Sequence, residues 1–408
     1  MLKAGVLDAG RCVDTMAEVV SLLSKGDCLM GGRGHNDHGI QLIFPKKSKI
    51  ENFPLDDSRD RRFMSMPAYL GGRFHMAGEK WYGSNGRNAQ KGLPRSILMV
   101  TLNDIETGQP LAYMSANLLS AMRTGAMPGL TAQYLAKKDT KVVSLLGPGA
   151  VNKTCFMAYM AKFPGIETVK IKGSSPTSKT AHVMKEFIEK EYPSVKNVIV
   201  CADLEVAIWD EDIICEAVSV PHGKWPKIKP EWIKPGCVVI SSGTMDITDF
   251  DFMQEKMTKV VDNIHMYEEY IQVYEERDKD GNRKPSGTPG MYFVNMIDDG
   301  LIDRKEVYHL GDIVRGIAPA RVSDDQIFLV SLGGMPILDV GWGYECYKKA
   351  QELNIGTKLK VWDTPYLILP YPFDSILLCF IGRHVQGIYI RISIYFAFWG
   401  TVSPCKDI

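Results

Sequence analysis

The run SANLLSAMRTGAMPGL, residues 115–130, holds one charged side chain, Arg123, among small and apolar residues. A guanidinium in such surroundings either snorkels to the surface along its aliphatic stem or stays inside to grip an anion. Its planar fork can make two parallel hydrogen bonds to a carboxylate. A second chemistry-bearing stretch is LLGPGAVN, residues 145–152, which follows the apolar run VVSLL and opens the helical pattern NKTCFMAYMAKF. There Gly147 permits a tight bend and Gly149 lets a phosphate approach the backbone, while Ala150, Val151 and Asn152 start a helix whose free N–H groups and dipole attract negative charge. The third glycine of the full fingerprint is missing. By itself the motif fits either a dinucleotide site or a plain strand-to-helix turn.

The elements around these residues narrow the choice. From residue 125 the chain alternates: a helix through LTAQYLAKK, the strand KVVSLLG, a helix through NKTCFMAYMAKF, the strand TVKIKG, the helix SKTAHVMKEFIEKEY, the strand NVIVCAD, a helix around LEVAIWDED, and the strands IICEAVSV and CVVISS. Such alternation predicts a doubly wound parallel sheet covered by helices, with the glycine turn in its first βαβ unit. The second strand should end beside the adenosine ribose, where an acid would hold the 2′-hydroxyl of NAD. Here the end reads KIKGSSPTSK, with Lys172, Ser174 and Ser175 and no acid, which suits a 2′-phosphate and favours NADP over NAD.

Before residue 125 the rhythm is different. VDTMAEVVSLLSKGD carries Met16, Val19, Val20 and Leu23 at helical spacing and is stopped by Gly26. IQLIFPKK and RFMSMPAYLGGRF look like strands with turns, and SILMVTLNDIETGQPLAYM predicts a hairpin around ETGQP. Near the other end, ERDKDGNRKPSGTPG, residues 276–290, predicts an exposed loop; the stretch after it predicts a turn, a strand, a glycine break and a long helix.

Composition bounds the function. At 408 residues and 45% hydrophobic content the chain can bury a large core in two domains or one elaborated domain. Lysine plus arginine and aspartate plus glutamate both total 48, so net charge gives no reason to expect a nucleic acid or an acidic membrane as partner, and a small molecule is the default ligand. Nine cysteines, an odd number without a Cys-x-x-Cys pair, argue for reduced thiols in a cytoplasm. No charged region followed by an apolar core opens the sequence, so no signal peptide is expected. Residues 366–408 form an atypical hydrophobic extension, interrupted by Arg383, His384 and Arg391 and therefore not a membrane span.

Four stretches together resemble the ornithine cyclodeaminase and mu-crystallin family: GEKWYG (78–83), SAMRTGA (120–126), LLGPGAVN (145–152) and APARVSDDQIFLVSLGGMPILDV (318–340). Their order and separation fit as well, over roughly residues 1–365. The resemblance implies an α/β protein in which a Rossmann domain, residues 125–315, is inserted into an α+β substrate-binding and dimerisation domain, residues 1–124 with 316–365. It further implies a homodimer that uses NAD or NADP on a small amino acid or imine, with no metal. On that basis Arg123 grips the substrate carboxylate with Lys80 beside it, and Lys47 is a further carboxylate ligand. Thr124 approaches the cofactor phosphates, and Ser331 returns to the nicotinamide. The small neighbours of Arg123 then leave room for backbone and cofactor to come close.

The family's catalytic aspartate falls in ISSGTMDITDFDF, residues 240–252, where Met245 takes its place and Asp246 follows by one residue. Asp246, with Lys80, is therefore the expected acid–base pair. Three reactions follow. In cyclodeamination, hydride leaves Cα, an internal amine attacks the iminium and hydride returns. A ketimine reductase or amino-acid dehydrogenase stops at net redox turnover. A mu-crystallin-like protein binds the dinucleotide without catalysis. Elsewhere, His35 and His38 in GGRGHNDHG predict a polar loop at the site entrance rather than zinc. His75 with Glu79, and the Asp324–Asp325 step, are expected to be structural.

Overall fold

The computed structural model describes residues 1–281 and 283–361, so the extension expected at 366–408 lies outside the described residues. Residues 1–355 form one compact unit. Its first layer begins with helix α1 (Ala9–Lys25), capped by the Asp8 side chain on the Arg11 N–H and ended by Gly26 in the left-handed region. The helix thus starts four residues before the first residue of the VDTMAEVV pattern, because the cap rather than the apolar spacing fixes its beginning. An antiparallel sheet follows: β1 (Cys28–Met30), β2 (Ile40–Ile43), β3 (Arg62–Leu70), β4 (Met76–Ser84), β5 (Ser96–Asp104) and β6 (Pro110–Ser115). The order is β1-β3-β4-β5-β6 with β2 also on β3, and β5–β6 is the expected hairpin.

Helix α2 (Asn117–Leu135) carries the chain out of this layer, with Arg123 near its middle. The boundary expected at 124/125 therefore falls within a helix. The small residues of SAMRTGAMPG hid that helix, since alanine, glycine and serine give no apolar period. They serve packing. A Cβ on Gly125 would fall 2.3 Å from the carbonyl carbon of Thr154, so only glycine lets α2 lie this close against the next helix, α3 (Ala150–Lys162). The close backbone approach expected beside Arg123 is thus the packing of α2 on α3.

The second layer is built from β7 (Val142–Leu146), α3, β8 (Thr168–Lys172), α4 (Lys179–Glu191), β9 (Asn197–Cys201), α5 (Leu204–Ile208) and β10 (Ile213–Glu216). It continues with β11 (Lys227–Ile228), β12 (Val238–Ser241), β13 (Asp246–Ile247), α6 (Phe250–Lys256), β14 (Met257–Val261), α7 (Ile264–Tyr274), α8 (Pro289–Asp298), β15 (Val307–His309), α9 (Leu310–Val314) and β16 (Ile327–Ser331). Eight of these strands form one parallel sheet in the order β15-β14-β16-β12-β10-β7-β8-β9, while β11 and β13 pair separately. The order reverses at β7 and β10, and the crevice beyond the carboxyl ends of those strands is where such sheets bind ligands. β16 pairs with β12 and β14, so the chain leaves the parallel sheet after Ser331 and not at residue 316. Helix α10 (Pro336–Glu352) then packs across β3 and β4, inside the first layer.

Candidate active site

Three buried charges meet between the layers. Alternation along β4 turns Lys80 to the covered face of the antiparallel sheet, α2 presents Arg123, and the first turn of α10 presents Asp339. Lys80 Nζ donates to Asp339 Oδ2 at 2.8 Å and Arg123 Nε donates to Asp339 Oδ1 at 3.0 Å. Ser120 Oγ lies 3.4 Å from both Lys80 Nζ and Arg123 Nη2. The three charged side chains are at most 5% exposed. Burial, joined by repulsion from Arg123, lowers the Lys80 ammonium to about 8 against the attraction of Asp339. For Asp339 burial acts upward, yet Arg123 and Lys80 outweigh it and hold the carboxyl below its usual range. At neutral pH the cluster holds two cations against one anion, an excess of buried positive charge that a further anion would compensate. Arg123 Nη1 packs against Gly334, where a Cβ would stand 2.9 Å from it.

The loop that follows β16 closes over this cluster. Asp262, at the end of β14, accepts the N–H groups of Gly333 (2.9 Å) and Gly334 (3.2 Å) and the hydroxyl of Tyr267 (3.2 Å). Burial pushes its carboxyl up to about 6 against those hydrogen bonds. Ser331 ends β16, buried and in register with Ser241 and Val261 at the carboxyl edge of the sheet. His38 Nδ1 lies 2.7 Å from the Gly334 carbonyl. Burial, then Lys80 and Arg123, lower its imidazole to about 4, so His38 is neutral around pH 7. A cavity of about 270 Å³ adjoins it, bordered by Asp37, His38, Gly39, Ile40, Met266 and Glu269 among others. That volume accommodates a small metabolite.

The glycine turn lies at the switch point. Gly147 has φ +90°, and a Cβ there would stand 2.8 Å from the Ala217 carbonyl oxygen, so both conformation and space require glycine. The Asn152 side chain donates to the carbonyls of Leu146 (2.7 Å) and Gly147 (2.8 Å), which pins the turn from beneath. Above Gly149 the space is open, and α3 begins at Ala150 and Val151 without a side-chain cap. Its first N–H groups and dipole make an anion cradle. The Gly147 N–H donates to the Lys172 carbonyl, which brings the end of β8, with Lys172, Ser174 and Ser175, alongside that cradle. A further cavity of about 300 Å³ touches Gly149, Ala150, Lys153 and Lys179.

Other expected residues stand apart from this arrangement. Lys47 is exposed in the loop after β2 and has no hydrogen bond or ion pair with the Arg123 cluster. Thr124 donates its hydroxyl to the Ser120 carbonyl of its own helix at 2.7 Å. Asp246 accepts from Trp225 Nε1 and from the Tyr292 hydroxyl, both at 2.6 Å, so each of its oxygens is already engaged outside the Arg123 cluster. Sequence reasoning missed Asp339, although its signal was present as a lone acid in GGMPILDV, the mirror of the lone arginine in SAMRTGA. It also missed Glu216, fully buried at the end of β10, which accepts from the Val218 N–H (2.6 Å), Ser241 Oγ (2.7 Å) and the Gly243 N–H (3.1 Å) and ties together the loops after β10 and β12.

The two-layer fold has known relatives. The sequence matches the profile of the Ornithine cyclodeaminase/mu-crystallin family over residues 8–354, and the chain belongs to that family. It is 27% identical over 335 residues to N-((2S)-2-amino-2-carboxyethyl)-L-glutamate dehydrogenase of Staphylococcus aureus, covering 80% of this chain and 89% of that one. It is also 27% identical over 353 residues to alanine dehydrogenase of Archaeoglobus fulgidus, covering 85% and 97%. Among solved structures, Thermococcus litoralis Δ1-pyrroline-2-carboxylate reductase in complex with NADH and L-proline superposes with a TM-score of 0.66 at 22% identity, covering 85% of this chain and 95% of that one. An archaeal alanine dehydrogenase dimer with bound NAD gives 0.66 at 24%, covering 87% and 95%. These likenesses fix the fold.

Proposed function

We propose that this chain is a nicotinamide-dependent enzyme acting at the Cα–nitrogen bond of a small amino acid or imino acid, with net redox turnover. The observation that carries the reading is the excess positive charge of Lys80 and Arg123 over Asp339 in a buried site, which a substrate carboxylate completes. Bound nicotinamide would supply hydride transfer. The chain's own part is to hold the carboxylate on Arg123 and Lys80, keep water out beneath the 331–334 loop, and cradle the diphosphate on Gly147, Gly149, Ala150 and Val151. Net redox is preferred to the cyclodeamination expected first, because the oxygens of Asp246 are engaged by Trp225 and Tyr292 and because the curated relatives at 27% identity are named dehydrogenases.

The end of β8 supports NADP, since Lys172, Ser174 and Ser175 stand there without a carboxylate, although the solved neighbours carry NAD or NADH. The outer face of the antiparallel sheet supports a homodimer. Phe63, stacked on Trp81, and Ile97 and Tyr113 are all exposed on it, an apolar patch of the kind that marks an interface. The free state of all the described cysteines fits a cytoplasmic protein. Among the described residues no helix is long and apolar enough to cross a membrane. The test is NAD(P)H oxidation by purified protein with Δ1-pyrroline-2-carboxylate, or with pyruvate and ammonia, and NAD(P) reduction with proline or alanine. Steady cofactor turnover with one of them supports the reading; cofactor binding without turnover on any of these would leave the non-catalytic role.

A further inference from the structure

Four carboxylates around the site are already occupied as acceptors. Asp339 holds Lys80 and Arg123, Asp262 holds the Gly333 and Gly334 N–H groups, Glu216 holds the loops after β10 and β12, and Asp246 holds Trp225 and Tyr292. Glu269, on the cavity wall with a buried Oε2 that has no hydrogen-bond partner, is paired on its other side with Asp37 and has no hydrogen bond to the residues that hold Arg123. His38 differs. A carbonyl oxygen only accepts, so the 2.7 Å contact with Gly334 puts the hydrogen on Nδ1 and leaves the Nε2 lone pair as the basic position. The ring borders the 270 Å³ cavity, and the same Gly334 faces Arg123 Nη1. One residue thus joins the imidazole to the guanidinium that would hold the substrate.

We propose that His38 is the catalytic acid–base residue, its Nε2 taking a proton from the substrate ammonium and returning it in the reverse direction. The proposal rests on the functional reading above. In the step, one substrate N–H bond breaks and an Nε2–H bond forms, leaving a neutral amine and an imidazolium. The amine lone pair then forms the C=N bond as the Cα–H bond breaks, and the hydride with its electron pair reduces the oxidised nicotinamide. In imine reduction the same proton passes back to the nitrogen.

The charges around His38 make the base conditional on substrate. It is faced by Lys80 on β4, Arg123 on α2 and Asp339 on α10, and Asp37 and Glu269 border the same cavity. Burial and the two cations disfavour the imidazolium in the empty site. A bound carboxylate neutralises part of that field and raises His38 toward the range where a general base works best.

The test is His38→Asn, whose amide still has an N–H to offer the Gly334 carbonyl but has no basic nitrogen. With the amino acid that wild type oxidises, kcat is expected to fall about 10²- to 10³-fold. The KM and the cofactor Kd, read by quenching of protein fluorescence, should stay within about threefold, and the acidic limb of the wild-type kcat profile should vanish. His38→Ala should regain at least tenfold of its activity in added imidazole. A His38→Asn enzyme with near-normal kcat, or one whose lost activity follows a weakened cofactor Kd, overturns the proposal. If wild type oxidises no amino acid, the functional reading fails by itself, and the imidazole ¹⁵N spectrum still decides His38. A neutral Nδ1–H ring whose protonation moves to higher pH when pyruvate is added supports the assignment; an Nε2–H ring, or an unmoved titration, refutes it.

Discussion

Replacing Asp339 with asparagine removes the single anion between Lys80 and Arg123 while keeping its shape. With contacts of 2.8 and 3.0 Å to one carboxylate, the two cations stand no more than about 8 Å apart. Their repulsion, about 2 kcal/mol at an effective dielectric of ~20, is present in the wild type too, where the carboxylate offsets it; the asparagine does not. The asparagine oxygen serves only one of the two donors and its amide turns a donor toward the other, so a charge-assisted hydrogen bond worth ~1.5–3 kcal/mol is also lost. Removing one partner of a buried ion pair costs about 3–5 kcal/mol, and that is the loss expected here.

The pH dependence has a definite sign. Lys80 titrates at about 8 in the fold, below its unfolded value, so the unfolded chain binds more protons and stability rises with pH above that point. Without Asp339 the folded value drops further and the variant begins to recover earlier. Its deficit against wild type should therefore be larger at pH 6 than at pH 8. Urea unfolding followed by tryptophan fluorescence at both values measures this. A deficit below about 0.5 kcal/mol at both would refute the buried cluster.

Three more outcomes follow from the same structure. Gly125→Ala places a Cβ against the α3 backbone at Thr154 and should destabilise by roughly 1–3 kcal/mol, seen as a lower Tm. Trp81→Asp puts a charge in the exposed apolar sheet face and should shift the protein from dimer to monomer in light scattering, with the far-UV spectrum unchanged. Lys172→Ala should weaken NADPH binding about tenfold and leave NADH binding within twofold by fluorescence titration; equal losses for both would remove the 2′-phosphate role.

The sequence made legible what local pattern encodes. The strand–helix alternation, the bend at Gly147 and the hairpin at ETGQP each arise from a few neighbouring residues, and all stand in the structure. Helix α2 stayed hidden because its small residues encode close approach to α3 instead of an apolar stripe. The site was half legible. Arg123 was visible as an isolated charge, whereas its bond to Asp339 spans 216 residues of sequence, and Gly334, which packs on Arg123, bonds His38 from 296 residues away. Such long-range pairings leave no periodic trace. Lys47 shows the converse, since a cation in a plausible place stands exposed, and neither its type nor its neighbours could say so.

The central claim is that Arg123 and Lys80 receive a substrate carboxylate, and the most direct measurement compares an amino acid with its carboxamide. With whichever amino acid supports NAD(P) reduction, kcat/KM should fall at least 100-fold for the amide, about 2.7 kcal/mol, and Arg123→Ala should abolish most of that preference. Equal turnover of acid and amide by the wild-type protein, or a preference that survives in Arg123→Ala, would contradict the account.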